Sequence, residues 1–137
     1  MCLYQSKYTV KVSFEDLDPM NVVWHGNYMR YMEQARCNML EELKYTYMDM
    51  KKEDYAYPVA KMNVKYIKPA AFGDVLTVVT KIEELEPALN MKYEIFKDKE
   101  KIFEAKTMQI GVNVKTLESV YAAPKGLKKA IERALNA

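Results

Sequence analysis

The residue types able to do chemistry gather in one stretch of this chain, residues 14–28, FEDLDPMNVVWHGNY. It holds two carboxylates, Asp16 and Asp18, then a proline, the pair Val22-Val23, the single tryptophan Trp24 and the single histidine His25. A helical pattern begins directly afterwards. The first N–H groups of a helix have no acceptor within it, so they can polarise a carbonyl or hold a developing oxyanion. A carboxylate beside them can attack as a nucleophile or act as general base toward water. The same residues also have a purely structural reading. Asp18 ahead of Pro19 has the form of an N-cap followed by a proline at the first helical position. His25 then reads as a packed histidine and Trp24 as a core residue. Residue types alone leave both readings open.

Composition leaves few other places for chemistry. One histidine cannot supply a His-rich metal site, and Cys2 and Cys37 are too few for a zinc module or a disulfide framework. The three serines, Ser6, Ser13 and Ser119, lie in no G-x-S-x-G elbow. Four scattered glycines, Gly26, Gly73, Gly111 and Gly126, form no phosphate-cradling loop. With 21 basic residues against 19 acidic ones, the net charge of +2 gives no case for nucleic acid. No segment approaches the ~20 apolar residues that cross a bilayer, and the start, MCLYQSKYTV, lacks the pattern of a signal peptide. The expectation is a cytoplasmic protein with no cofactor, no metal, no nucleic-acid partner and no membrane partner. Its 137 residues suffice for one domain with a real core, spanning 1–137.

The elements that must position this stretch follow from periodicity. Residues 8–14, YTVKVSF, alternate as a half-buried strand with Tyr8, Val10, Val12 and Phe14 on one face. From Asn27 to about Leu43 the period becomes helical, with Tyr28, Met32, Ala35, Met39 and Leu43 on a wide apolar stripe. Cys37, mid-helix, is expected to be buried, and Cys2 to be a free thiol. Residues 44–57 have no clear period and read as a loop or short helical turn. Strand patterns follow at 59–68, 75–85, 89–97 and 101–114, with KDKEK (97–101) as a charged hairpin turn. Pro124 opens a last helix with Leu127, Ala130, Ile131, Ala134 and Leu135 on one face. Strand, long helix, then a run of antiparallel strands is an α+β design with the helix covering one face of the sheet. The strand faces are apolar enough to predict packing against a second copy.

With these residues in place, the run VSFEDLDPMNVVWHGNYMRYMEQAR resembles the signature of hotdog-fold acyl-CoA thioesterases of the 4-hydroxybenzoyl-CoA thioesterase type. Phe14, Asp16, Asp18, Asn21, Val22, Val23, Trp24, His25, Asn27, Tyr28, Glu33, Ala35 and Arg36 stand at matching places. A second stretch, NVKYIKPAAFGDVLTV (63–78), resembles the family's next strand, Pro-Ala turn, Gly-Asp and following strand. The resemblance implies a curved antiparallel sheet wrapped around the long helix, a homodimer or a homotetramer built as a dimer of dimers, and an acyl-CoA substrate entering between protomers.

Carried over by position, Asp18 stands where the family has its catalytic carboxylate. The His25 backbone N–H stands where a donor polarises the thioester carbonyl, with the His25 ring a further contributor. Asn21, Val23, Trp24 and Tyr28 are expected to line the substrate site. Asp16 is expected to orient the loop, and Glu33 with Arg36 to form a structural pair. Ser13 replaces an arginine common in relatives, and Asn21 replaces a glycine. The turn EELEPALN is acidic where some relatives carry basic residues, so CoA phosphates would need Lys92, Lys115, Lys125 or Lys128. An acyl-carrier-protein thioesterase, a hotdog hydratase or dehydratase, and a non-catalytic acyl-thioester binder are the alternatives.

Overall fold

The computed structural model describes residues 2–137. Strand β1 (Tyr4–Lys11) pairs antiparallel with β4 (Val75–Glu84), in a register that sets Tyr8 opposite Val78. β4 continues into β5 (Leu89–Lys97), β5 into β6 (Glu100–Gln109), and β6 pairs with β3 (Val59–Tyr66). The resulting five-stranded antiparallel sheet has the order β1-β4-β5-β6-β3. Helix α1 (Asn27–Glu42) lies on one face of it, over β1 and β4. Alternation along each strand aims Leu76, Val78, Tyr93, Ile95 and Phe103 at this helix, and all are buried. From α1 come Tyr31, Ala35 and Met39. The hydroxyls of Tyr4 and Ser6 donate to Glu42 at 3.0 and 2.9 Å, fastening the far end of α1 to β1.

β1 starts earlier than the alternation predicted and stops before Ser13. The Val12 N–H leaves the ladder for the Asp74 carbonyl, and the Ser13 N–H turns to the Asp16 carboxylate. Val12 stays buried, but Phe14 falls in a single 3-10 turn and is exposed, against expectation. Cys37 is also exposed rather than buried, because it continues the solvent row of Glu33 and Glu41 on α1.

The aperiodic segment 44–57 resolves into α2 (Tyr47–Lys52), whose entry Thr46 shares a capping box with Asp49, and β2 (Tyr55–Ala56). The long pattern at 101–114 breaks at Ile110. Its last part, β7 (Gly111–Asn113), leaves the main sheet for a small one, order β2-β7-β8, with β8 at Ser119–Val120. Helix α3 (Lys125–Leu135) closes the described chain with Leu127, Ala130 and Ile131 buried, whereas Leu135 is exposed.

Strand β3 is the sheet's unfinished side. α1 does not extend over it, so Met62 and Tyr66, which face the helix layer, stay 42% and 49% exposed. Among the described residues its outer backbone edge has no neighbouring strand.

Candidate active site

The loop between β1 and α1 is shaped by its two aspartates in different ways. Asp16 is 2% exposed, and its carboxylate accepts from the Ser13 N–H, from the Tyr31 hydroxyl at 2.8 Å and from the Arg30 guanidinium. Its backbone carbonyl accepts from the Trp24 N–H at 3.0 Å and from Asn27 Nδ2 at 2.8 Å. Asp16 therefore ties both ends of the loop together. Burial alone would push its carboxyl up; the Ser13, Tyr31 and Arg30 contacts outweigh this and hold it below the usual carboxylate range.

Asp18 is only partly buried and has one side-chain bond among the described residues, with Oδ1 accepting from the Met20 N–H at 2.8 Å. This is an Asx turn rather than a helix cap. The Asn21 N–H bonds to the Asp18 carbonyl and the Asp18 N–H to the Val22 carbonyl, so residues 18–22 form a tight turn. Asn21 sits there at φ 64°, a left-handed position Asn tolerates. No helix starts at Pro19. α1 begins at Asn27, preceded by Gly26, and no side chain among the described residues caps it.

The Asp18 carboxylate opens into a cleft of about 310 Å³ lined by Val22, Val23, His25, Tyr28, Tyr66, Ile67, Lys68 and Pro69. His25 is exposed, and among the described residues its backbone N–H donates to no acceptor. The surrounding peptides are held. Val23 N–H bonds to the Ala70 carbonyl at 2.9 Å, Asn27 N–H to the Trp24 carbonyl at 2.9 Å, and the Tyr66 hydroxyl donates to the His25 carbonyl at 3.0 Å. The Trp24 ring lies against His25 and directly over Gly26, where a Cβ would meet the indole at 2.3 Å. We expect Gly26→Ala to swing Trp24 aside. Because Trp24 is the only tryptophan, this reads out as a red-shifted emission maximum with fold stability changed by less than about 1 kcal/mol. Unchanged fluorescence means the ring does not rest there.

Of the residues predicted for the site, Asp18, Val23, His25 and Tyr28 share the cleft. Asn21 and Trp24 do not line it; one shapes the Asp18 turn and the other supports the His25 backbone. The far wall, Tyr66 to Pro69, lies outside the residues expected for the site, although the stretch from Asn63 onward carries the second part of the resemblance. Glu33 and Arg36 pair as expected on α1. Lys92, Lys115 and Lys128 are paired with Glu104, Asp54 and Glu86, and none of the four lysines expected to meet phosphates lines the cleft. Lys68 does, and its bond to Glu100 at 2.5 Å joins two half-exposed side chains.

Residues 12–131 match the family model described as the thioesterase-like superfamily. The chain belongs to that superfamily. Among solved thioesterase-like folds, it superposes on the DHNA-CoA thioesterase of Staphylococcus aureus with TM-score 0.84 at 26% identity, covering 96% of this chain and 91% of that one. A protein of Aquifex aeolicus superposes with TM-score 0.83 at 27% identity, over 92% of this chain and 98% of that one. The fold is thus the hotdog fold that the resemblance implied. In sequence, the chain is 34% identical over 79 residues to the acyl-CoA thioester hydrolase YbgC of Escherichia coli O6:H1, 58% of this chain and 59% of that one. The match spans less than two thirds of that relative. No helix in the described residues is long and apolar enough to cross a membrane.

Proposed function

We propose that the chain is an acyl-CoA thioesterase, hydrolysing an acyl thioester to a free acid and a thiol. The observation that carries this reading is the sharing of one cleft by Asp18 and by His25, whose backbone N–H has no acceptor among the described residues and lies just ahead of the start of α1. A thioester carbonyl accepting from that N–H presents its carbon to Asp18. The carboxylate attacks it to give a mixed anhydride and a departing thiolate, and water then hydrolyses the anhydride; or the carboxylate takes a proton from a water that attacks directly. The Asp18 turn needs no ionised side chain for its own stability, so the carboxylate is available. Lys68, on the cleft wall and paired with Glu100, is a lysine placed to meet the carrier's phosphates, whether that carrier is CoA or the acyl-carrier protein.

A thiol-release assay over short, long and aromatic acyl-CoAs tests the reading, with free acid and thiol appearing in equal amounts. Saturable binding without release would make the chain a binder, and loss of enoyl-CoA absorbance would make it a hydratase.

The working form is a homodimer joined along β3. β3 is an exposed edge strand of eight residues without proline, carrying Val59, Met62, Val64 and Tyr66 alongside Lys61, Asn63 and Lys65, and its outer backbone groups are placed to pair with another strand. Antiparallel pairing about a two-fold axis covers Met62 and Tyr66 and brings the Tyr66 end of one copy against the Val59 end of the other. Met62→Asp sets two like charges beside that axis. We expect sedimentation to show wild type as two or four copies and the variant as single chains at the same concentration. A monomeric wild type removes the seam.

A further inference from the structure

The turn that opens α1 has two possible shapes, and the loop's own bonds do not choose between them. The Asn27 N–H donates to the Trp24 carbonyl at 2.9 Å and closes a four-residue turn with His25 and Gly26 at its centre. Such turns have two common forms related by a flip of the central peptide. The flipped form needs a positive φ at the third residue, where glycine is the favoured occupant. Here the third residue is Gly26, and the Trp24 indole lies so close over it that no Cβ fits without moving the ring. The packing of Trp24 therefore requires the very residue that leaves the central peptide free to flip. In the structure it is not flipped. Gly26 stands at φ −69° and ψ −23°, the helical form that runs directly into α1.

The group that makes the choice lies across the cleft. The central peptide carries the His25 carbonyl, and its partner among the described residues is the Tyr66 hydroxyl, which donates to it at 3.0 Å. Tyr66 is a firm support. It ends β3 opposite Phe103, and the next two N–H groups, of Ile67 and Lys68, both donate to the Ile102 carbonyl at 2.9 and 3.1 Å. Its ring stands edge-on to Tyr28 and Phe103, with centroids at 5.5 and 5.3 Å, and those two buried rings stack on each other at 4.8 Å. Carbon atoms alone meet that packing. The hydroxyl has one partner among the described residues, the His25 carbonyl.

We propose that Tyr66 is a positioning residue for thioester hydrolysis, its hydroxyl holding the His25–Gly26 peptide in the helical form of the turn. The proposal rests on the thioesterase reading, in which the His25 N–H polarises the substrate carbonyl. The peptide before His25 is tied through the Trp24 N–H to the Asp16 carbonyl and through the Trp24 carbonyl to Asn27. The peptide after it is tied by Tyr66. With both planes held, residue 25 has no torsional freedom and its N–H keeps one direction. The same bond occupies the negative end of the His25 carbonyl dipole, which otherwise opposes charge developing on a nearby oxyanion. Without the hydroxyl the turn divides between its two forms, and turnover falls with the fraction that stays competent.

Tyr66→Phe keeps the ring and removes only the donor. We expect kcat on the best acyl-CoA to fall about tenfold, the effect of one neutral hydrogen bond, with KM within about twofold of wild type. In amide proton–nitrogen correlation spectra, the His25 and Gly26 signals should shift or broaden while those of α3 stay in place. Wild-type kcat in the variant overturns the proposal. So does a raised KM at unchanged kcat, which would make Tyr66 a substrate contact. Unmoved His25 and Gly26 signals also overturn it, because the peptide then holds its form without the hydroxyl. Should Tyr66→Phe not fold, Tyr66→Met, whose flexible side chain adapts to the same gap, takes its place with the same expectations. If wild type releases no thiol from any acyl-CoA, the thioesterase reading fails, and the amide signals alone decide whether Tyr66 holds the turn.

Discussion

Asp18→Asn should lower kcat on the best acyl-CoA by at least about 100-fold, the usual contribution of a positioned acid–base group or more, while changing stability by less than about 0.5 kcal/mol. The two halves of this expectation come from the same geometry. Asp18 is partly exposed, and its one side-chain bond, from the Met20 N–H to Oδ1, is one that an asparagine amide oxygen accepts equally well. The turn through Asn21 and the bond from the Asp18 N–H to the Val22 carbonyl involve backbone only. Nothing that holds the loop is lost. What is lost is the negative charge and the nucleophilic or basic oxygen facing the cleft. Thiol release under saturating substrate measures the first half, and urea unfolding the second. Wild-type turnover in the variant sinks the mechanism; lost turnover with lost stability shows that Asp18 is structural instead.

The contrast with the helix-cap reading of Asp18 is instructive. Both readings needed a carboxylate near free N–H groups, and both fit the order Asp18-Pro19. The structure separates them because α1 starts eight residues later than a cap at Asp18 requires, behind Gly26. That removes the capping role and leaves the helix start open. The N–H of His25 stays unpaired because its neighbours are held elsewhere, Trp24 by the Asp16 carbonyl and Asn27 by the Trp24 carbonyl. The loop is rigid where it borders the cleft and undersatisfied within it, the arrangement a polarising site requires.

Much of this was legible in order and period. The long helix and four of the five main strands read directly, because each has one face toward a common core and the alternation survives in sequence. The cleft was half legible. Residues 18–28 are local and share one motif, whereas Tyr66, Ile67 and Lys68 reach the cleft only through the pairing of β3 with β6 and the bond from Val23 to the Ala70 carbonyl. The smallest elements, at Tyr47–Lys52, Tyr55–Ala56 and Ser119–Val120, are too short to show a period. Gln109 illustrates a different limit. A polar residue on a strand face reads as solvent-facing, and only the crossing of residue 57 beneath it explains its burial.

Asp16 should behave in the opposite way to Asp18, two residues on. Asp16→Ala leaves the Ser13 N–H and the Tyr31 hydroxyl without their acceptor and Arg30 without its partner. The expected loss is about 3 kcal/mol, the low end for breaking a buried ion pair, since Arg30 is half exposed and can return to water. Asp16→Asn keeps the shape and loses the charge, so about 2 kcal/mol is expected. Activity falls with both, through a loosened loop. The pH dependence identifies the cause. The carboxyl is held below its unfolded value of about 3.9, so the folded state binds its proton less readily than the unfolded state. The contribution is therefore complete above that value and disappears as pH falls through the lower, folded one. Glu94, held at about 2 by Lys101 and Lys81 against the effect of burial, and the other depressed carboxylates weaken in acid too. They do so equally in wild type and variant. Urea unfolding of wild type and Asp16→Asn should thus show a stability gap that is full at pH 6–7 and shrinks well below about pH 4. A gap that stays constant into acid means the ionised carboxylate is not what holds the loop.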